Sequence, residues 1–163
     1  MKAQTATMFM VIEGVTGTGA DQNDAAAIAI SSWRWGSNYR VMDKATGIDG
    51  AWDLTVTRTA DPASPPIRQL FLDDTRIAAA RLYEYSRAPA DRVKVLQIDF
   101  TTLKLVHHAT TRSSSGALWE SFGIRYHTAL VGDAHGRHAK AQHASSRRGR
   151  SRAARTVRRI NLP

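Results

Sequence analysis

The sequence has no cysteine among its 163 residues, which excludes a disulfide framework, a thiol nucleophile and a thiolate metal site. Stability has to come from packing. No apolar run approaches the roughly 18–20 residues of a helical membrane span. The short run from Met8 to Ile12 is too brief for a secretory leader and is followed by Glu13, so the chain reads as a mature, cytoplasmically made protein with no transmembrane segment. Aromatic residues make up only 7%, and none follows Tyr126. Acids thin out at the same place. From Asp133 to Pro163 there are nine basic residues and one acid, a net of +8, whereas the preceding 132 residues hold 14 basic and 13 acidic side chains, a net of +1. A length of 163 residues suits one ordinary domain. The expected organisation is a folded domain over 1–131 and a disordered basic tail over 132–163.

What is present inside the body is alternation with a period of two. Trp52, Leu54 and Val56 share one face of a strand, as do Leu96, Ile98 and Phe100, and then Phe122, Ile124 and Tyr126. Strand-like runs also cover Met8 to Glu13, Ala27 to Trp35, Ile77 to Tyr85 and Leu103 to His108, separated by Gly, Pro, Ser, Asp and Asn. About seven or eight antiparallel strands predict a mainly β fold, a compact barrel or sandwich. One short helix is expected over 64–73, with Ser64 as N-cap, Pro65 in the first turn, and Ile67, Leu70 and Phe71 on one face. Within Ala27 to Gly36 the apolar parity changes between Ile28/Ile30 and Trp33/Trp35, which predicts a bulge or a strand buried on both faces. The segment from Gly36 to Gly50 has no period and exceeds a simple hairpin loop, and its Tyr39, Val41, Met42 and Ile48 suit a contact surface.

These blocks resemble the haemolysin-coregulated protein (Hcp) family of bacterial type VI secretion systems. The resemblance rests on Phe9, Ile12 and Gly14 in the opening strand and turn, Gly19-Ala20-Asp21, Ile28 and Ile30, and Ser32-Trp33-Arg34-Trp35-Gly36, which matches an S-W-x-W-G pattern. It continues through Leu54 and Arg58, Asp61 to Ser64-Pro65 before the helix, Ile77 and Ala80, Val95 to Ile98, Ser114 to Gly116, and Glu120-Ser121-Phe122, so that it runs from about Met8 to Val131. Asp24 and Ala27 stand where family members often have His and Glu, and after Val131 the family-like alternation stops. The Arg/Ala/Gly/His-rich text beyond it is also what a shifted reading frame of GC-rich DNA yields, so 132–163 is expected to replace the family's usual end.

The resemblance implies a β-barrel with one helix, a homo-hexameric ring, and stacking of rings into the inner tube of the secretion machine. Its partners would be sheath, spike and baseplate proteins and effectors carried in the lumen. The subunit would be cytoplasmic and then secreted through the system. Ser37, Tyr39, Val41, Met42, Asp43 and Ile48 would belong to the loop that contacts the next ring.

No cofactor, metal or enzymatic activity is expected. Asp73-Asp74 reads as a solvated helix cap. His107 and His108 succeed each other on a strand and face opposite ways, Ser121 and His127 lack a third orienting group, and Gly14-x-x-Gly17-x-Gly19 opens no helix. The alternative functions belong to the tail. Arg148, Arg152, Arg155 and Arg159 recur at helical spacing and would suit nucleic acid or an anionic membrane, or the tail would be a small effector extension on a tube subunit.

Overall fold

A computed structural model describes residues 7–37, 52–86, 92–133 and 138–142. The elements are β1 (Met8–Ile12), β2 (Ile28–Ile30), β3 (Ser32–Ser37), β4 (Trp52–Thr59), α1 (Ser64–Leu72), β5 (Ile77–Tyr85), β6 (Lys94–Arg112), β7 (Leu118–Asp133) and β8 (His138–Gln142). All pairings are antiparallel. The sheet order is β2-β1-β5-β6-β7-β4-β3, with β8 paired to β7.

The two ends of that order are one piece of chain. β2 pairs with β1, setting Ile28 opposite Met10, and β3 pairs with β4, setting Trp33 opposite Val56. Ser31 lies between them and donates its N–H to the Thr57 carbonyl at 2.9 Å. The chain therefore changes partner at Ser31 and closes the sheet on itself. This explains the parity change in the sequence: Ile28 and Ile30 are buried before the switch, Ser31 and Ser32 are exposed, and Trp33 and Trp35 pack against the same core after it.

Inside the closed sheet, Met10, Ile12, Leu54, Val56, Leu82, Ile98, Phe100, Phe122 and Ile124 form the core. Trp35 sits at its margin, where its indole N–H donates to the Tyr126 hydroxyl at 2.7 Å and its ring meets Phe100 and Tyr126 edge-on. The runs Leu96 to Phe100 and Leu103 to His108, separate in the sequence reading, are one strand of 19 residues. They look separate because β6 and β7 change parity together. The ladder omits Thr102, which takes φ 48°, so that Phe100 and Leu103 both face inward, as do their partners Ala129 and Tyr126. A bulge between Leu105 and His107 bends the strand again.

Helix α1 differs from expectation at its start. The N-cap is Ala63 and no side chain caps it. The Ser64 hydroxyl instead accepts from the Asp61 N–H and donates to Glu120. The first turn still balances, since the Ser64 N–H reaches the Asp61 carbonyl, Pro65 and Pro66 have no N–H, and Ile67 donates to Ala63. At the other end Asp74, at φ 47°, makes the left-handed turn that ends the helix, and the Thr75 N–H returns to the Leu70 carbonyl.

The strand pairing also runs past Val131. β7 continues to Asp133, and His138–Gln142, within the segment expected to lack structure, pairs with Thr128 to Gly132. The segment 38–51, with Tyr39, Val41, Met42, Asp43 and Ile48, lies outside the described residues, as does 143–163.

A second, smaller cluster lies on the other face of β1 and β5, where Phe9, Tyr83 and Tyr85 pack under the 13–27 connection. Gly17 is fixed there by space, because a Cβ would overlap the backbone of Ala25 and Ala26. Gly17→Ala is expected to cost about 1–3 kcal/mol by forcing that connection off the sheet. Urea denaturation checks this, and an unchanged midpoint would contradict the close approach.

Candidate functional site

Two buried polar clusters fix the parts of the barrel that its hydrogen-bond ladders leave free. The first is centred on Asp21, only 2% exposed, in the connection between β1 and β2. Its carboxylate accepts from the Tyr83 hydroxyl at 2.9 Å, the Tyr85 hydroxyl at 3.0 Å, the Asn23 N–H at 3.2 Å and an Arg92 Nη at 3.3 Å. Tyr83 and Tyr85 are two apart on β5, which puts both on the face opposite Leu82. The Arg92 guanidinium stacks over the Tyr85 and Phe9 rings, and Lys94 lies over Tyr83. Burial by itself would raise the Asp21 carboxyl. The Asn23 N–H, the two phenols and Arg92 outweigh burial and leave the carboxyl below its ordinary 3.8. The Tyr83 phenol moves upward, through burial first and then its bond to Asp21.

The second cluster ties α1 to the sheet. Arg58 on β4 is fully buried and its charge faces Asp61 and Glu120. The Arg58–Glu120 approach, 3.4 Å, follows from direct pairing of the two residues across β4 and β7. Glu120 also accepts from Ser64 at 2.9 Å and meets His108 Nε2 at 2.8 Å, and Phe71 of α1 stacks on the His108 ring. Three strands thus share one buried group of ionisable side chains, Arg58, His108 and Glu120, and α1 joins it through Ser64 and Phe71.

The Ser64 hydroxyl meets the Glu120 carboxylate rather than the His108 imidazole. His107 is exposed while His108 packs inward. Asp73 pairs with Gln69, and Asp74 with Lys104. Among the described residues no group of three His, Asp or Glu side chains is placed to hold a metal.

The residues singled out in the sequence fall mainly into the scaffold. Ile12, Ile28, Leu54 and Phe122 are core, Phe9 lies under the Asp21 cluster, Gly14 makes a turn at φ 85°, and Trp33, Trp35 and Gly36 line β3. Ser32 is exposed beside the switch at Ser31, and Pro65 is in the first helical turn. Ser37 ends β3 opposite Trp52, the first residue of β4. The sequence put Asp21, Arg58, Asp61, Ser64 and Glu120 in family-like blocks but paired none of them. For Arg58 and Glu120 the available signal was their occurrence in strands with apolar neighbours, where an ionisable group needs a partner. A shallow hollow of about 180 Å³ on β6 and β7 lies among Leu96, Gln97, Asp99 and Leu130, with Leu130 itself exposed.

The family model for "Type VI secretion system effector, Hcp" matches residues 9–131. The chain belongs to the Hcp family, the tube proteins of type VI secretion. The fold is similar to that of Hcp1 from Salmonella typhimurium, at 22% identity and a TM-score of 0.67, over 83% of this chain and 91% of that one. A type VI secretion system effector from Yersinia pestis is similar at 19% identity and 0.64, over 83% and 98%, and the secreted protein Hcp3 from Pseudomonas aeruginosa at 11% and 0.65, over 83% and 97%. A sequence search of curated proteins found no match. Among the described residues no helix is long and apolar enough to cross a membrane.

Two outcomes follow from the buried clusters. Glu120→Ala takes one of two carboxylates from the buried Arg58, leaving Asp61 to face it, and is expected to cost roughly 3 kcal/mol, whereas Arg58→Met combined with Glu120→Gln costs less than that single change. Thermal denaturation of the three proteins checks the order, and a double variant less stable than Glu120→Ala would contradict it. For Asp21, a lowered carboxyl stabilises the fold above the ordinary value, and that contribution is lost as pH falls through the folded value. The stability gap between wild type and Asp21→Asn should therefore be full at neutral pH and shrink below pH 3.8. Urea titrations across that range check it, and a constant gap would refute the pairing.

Proposed function

We propose that this Hcp subunit assembles into six-membered rings that stack into the inner tube of a type VI secretion system and are exported with effectors held in the lumen. The observation that carries the reading is the family match over 9–131, which coincides with the closed sheet and its helix. Closure supports it physically, because most strands have both neighbours within the subunit, and ring contacts then fall to loops, rims and the remaining edges. Rings of one chain require a heterologous contact in which two different patches of the subunit meet. The near-neutral body, +1 over 132 residues, suits a subunit repeated many times in one polymer, since a large like charge would oppose assembly.

Stacking is assigned to 38–51, with Tyr39, Val41, Met42 and Ile48 as apolar contacts and Ser37 and Asp43 beside them. Sheath, spike and baseplate proteins are the partners of the assembled tube. The cytoplasm is where rings form before export.

Deleting residues 39–48 is expected to leave a folded subunit with an unchanged circular dichroism spectrum that forms rings but not tubes. Electron microscopy of the purified variant checks this. Tubes of ordinary length from the deletion variant would refute the assignment.

A further inference from the structure

The hairpin of β6 and β7 outruns its neighbours, since β5 pairs only with the Lys94 to Leu103 part of β6 and β4 only with the Trp119 to Arg125 part of β7. Leu118 and Leu130 lie on the same strand, roughly 40 Å apart along β7, and so belong to opposite ends of the barrel. Both are exposed. Each is paired across the ladder with a charged residue, and the signs are opposite: Leu118 stands against Arg112 and Leu130 against Asp99.

The two ends differ in shape as well as in charge. At the Leu130 end is the hollow of about 180 Å³, walled by Leu96, Gln97 and Asp99, and the residue paired with Gln97 is Gly132, which brings no side chain to fill it. That volume is below the roughly 300 Å³ at which small-molecule sites begin, and it suits a single apolar side chain. The lining holds two carboxylates, Asp99 and Asp133, and one ammonium, Lys94, a net of −1. At the Leu118 end the hairpin closes in a tight turn. The Ser113 N–H reaches the Ala117 carbonyl at 2.8 Å, Gly116 takes φ 84°, and an Arg112 Nη donates to the Gly116 carbonyl at 2.9 Å. The turn is therefore fixed before a partner arrives, which lowers the entropy lost on contact. Between Lys104 and Glu120 the only Lys, Arg, Asp or Glu is Arg112, so this end carries the complementary sign.

We propose that the hollow at Leu130 receives Leu118 from a second copy of this chain, with that copy's Arg112 set against Asp99 and Asp133, and that this head-to-tail contact joins one ring to the next. Two different ends of the subunit meet, so the contact is heterologous and propagates along a line instead of closing a pair. Its assignment to ring stacking rests on the tube reading, and the meeting of the two ends does not.

The natural absence of cysteine makes the test direct. Full chains carrying Leu118→Cys, Leu130→Cys or both are checked against the wild-type circular dichroism spectrum and treated, during assembly, with a short bismaleimide cross-linker. The two single variants mixed together should cross-link to each other while neither does so alone, and the double variant should give a ladder that extends past six subunits on a denaturing gel. A cross-link within one single variant alone would mean a two-fold contact, a ladder ending at six would place the contact inside a ring, and no cross-link between folded variants would keep the two ends apart; each result overturns the proposal. Leu118→Ser provides a second measurement, expected to shift micrographs from tubes to single rings, and tubes of wild-type length would overturn the contact. Rings of six without the cross-link sink the contact and leave the tube reading standing, whereas the cross-link in a protein that forms no rings of six sinks the tube reading and leaves the contact standing.

Discussion

The constraint on which the rest of this structure depends is the change of partner at Ser31. A single run of chain pairs with β1 before that residue and with β4 after it, so the first and last strands of the sheet order are covalently the same segment. Closure removes the lateral edges that an open sheet would expose, and it makes one interior that both halves of the run must fill. Ile28 and Ile30 reach that interior on one parity, Trp33 and Trp35 on the other, and the intervening pair of serines absorbs the offset.

A closed sheet still has to hold what is not in its ladders. Here that is done by buried charge. Asp21 fastens the connection after β1 to the outer face of β5 through two phenols and Arg92, and Glu120 fastens α1 through Ser64 and His108 while facing Arg58 across the strands. Buried ionic groups add little net stability compared with a well-packed apolar substitute, but losing one partner is costly. They therefore specify where the loop and helix sit more than they add to the total. A shift of α1 by one residue would turn Ile67 away from the core and carry Ser64 off Glu120.

Much of this was legible in the sequence. Strand positions followed from alternation at Leu54 and Val56, at Ile98 and Phe100, and at Phe122 and Ile124, because each of those strands has one face on the core. The parity change at Ser31 was visible as a pattern, yet its cause was not, since a change of hydrogen-bond partner is a tertiary event. The corner at Thr102 hid the continuity of β6 for the same reason, as two strands flipped parity together and a break looked natural. Local propensity makes Ser64 a cap, but the buried Glu120, 56 residues away, takes its hydroxyl instead. β8 carries few apolar residues, so its pairing with β7 left no periodic signal. The polar clusters were the least legible, because their partners are distant in sequence and pair only when strands and loops are in place.

The proposed function joins a family assignment to a physical reading, in which a closed, nearly neutral body would meet copies of itself through loops and rims. Its central claim is that the subunit makes rings of six. Native mass spectrometry of the purified full chain tests that most directly. The account predicts a dominant species at six times the 17.9 kDa subunit mass, and a monomer as the sole species at every concentration would contradict it.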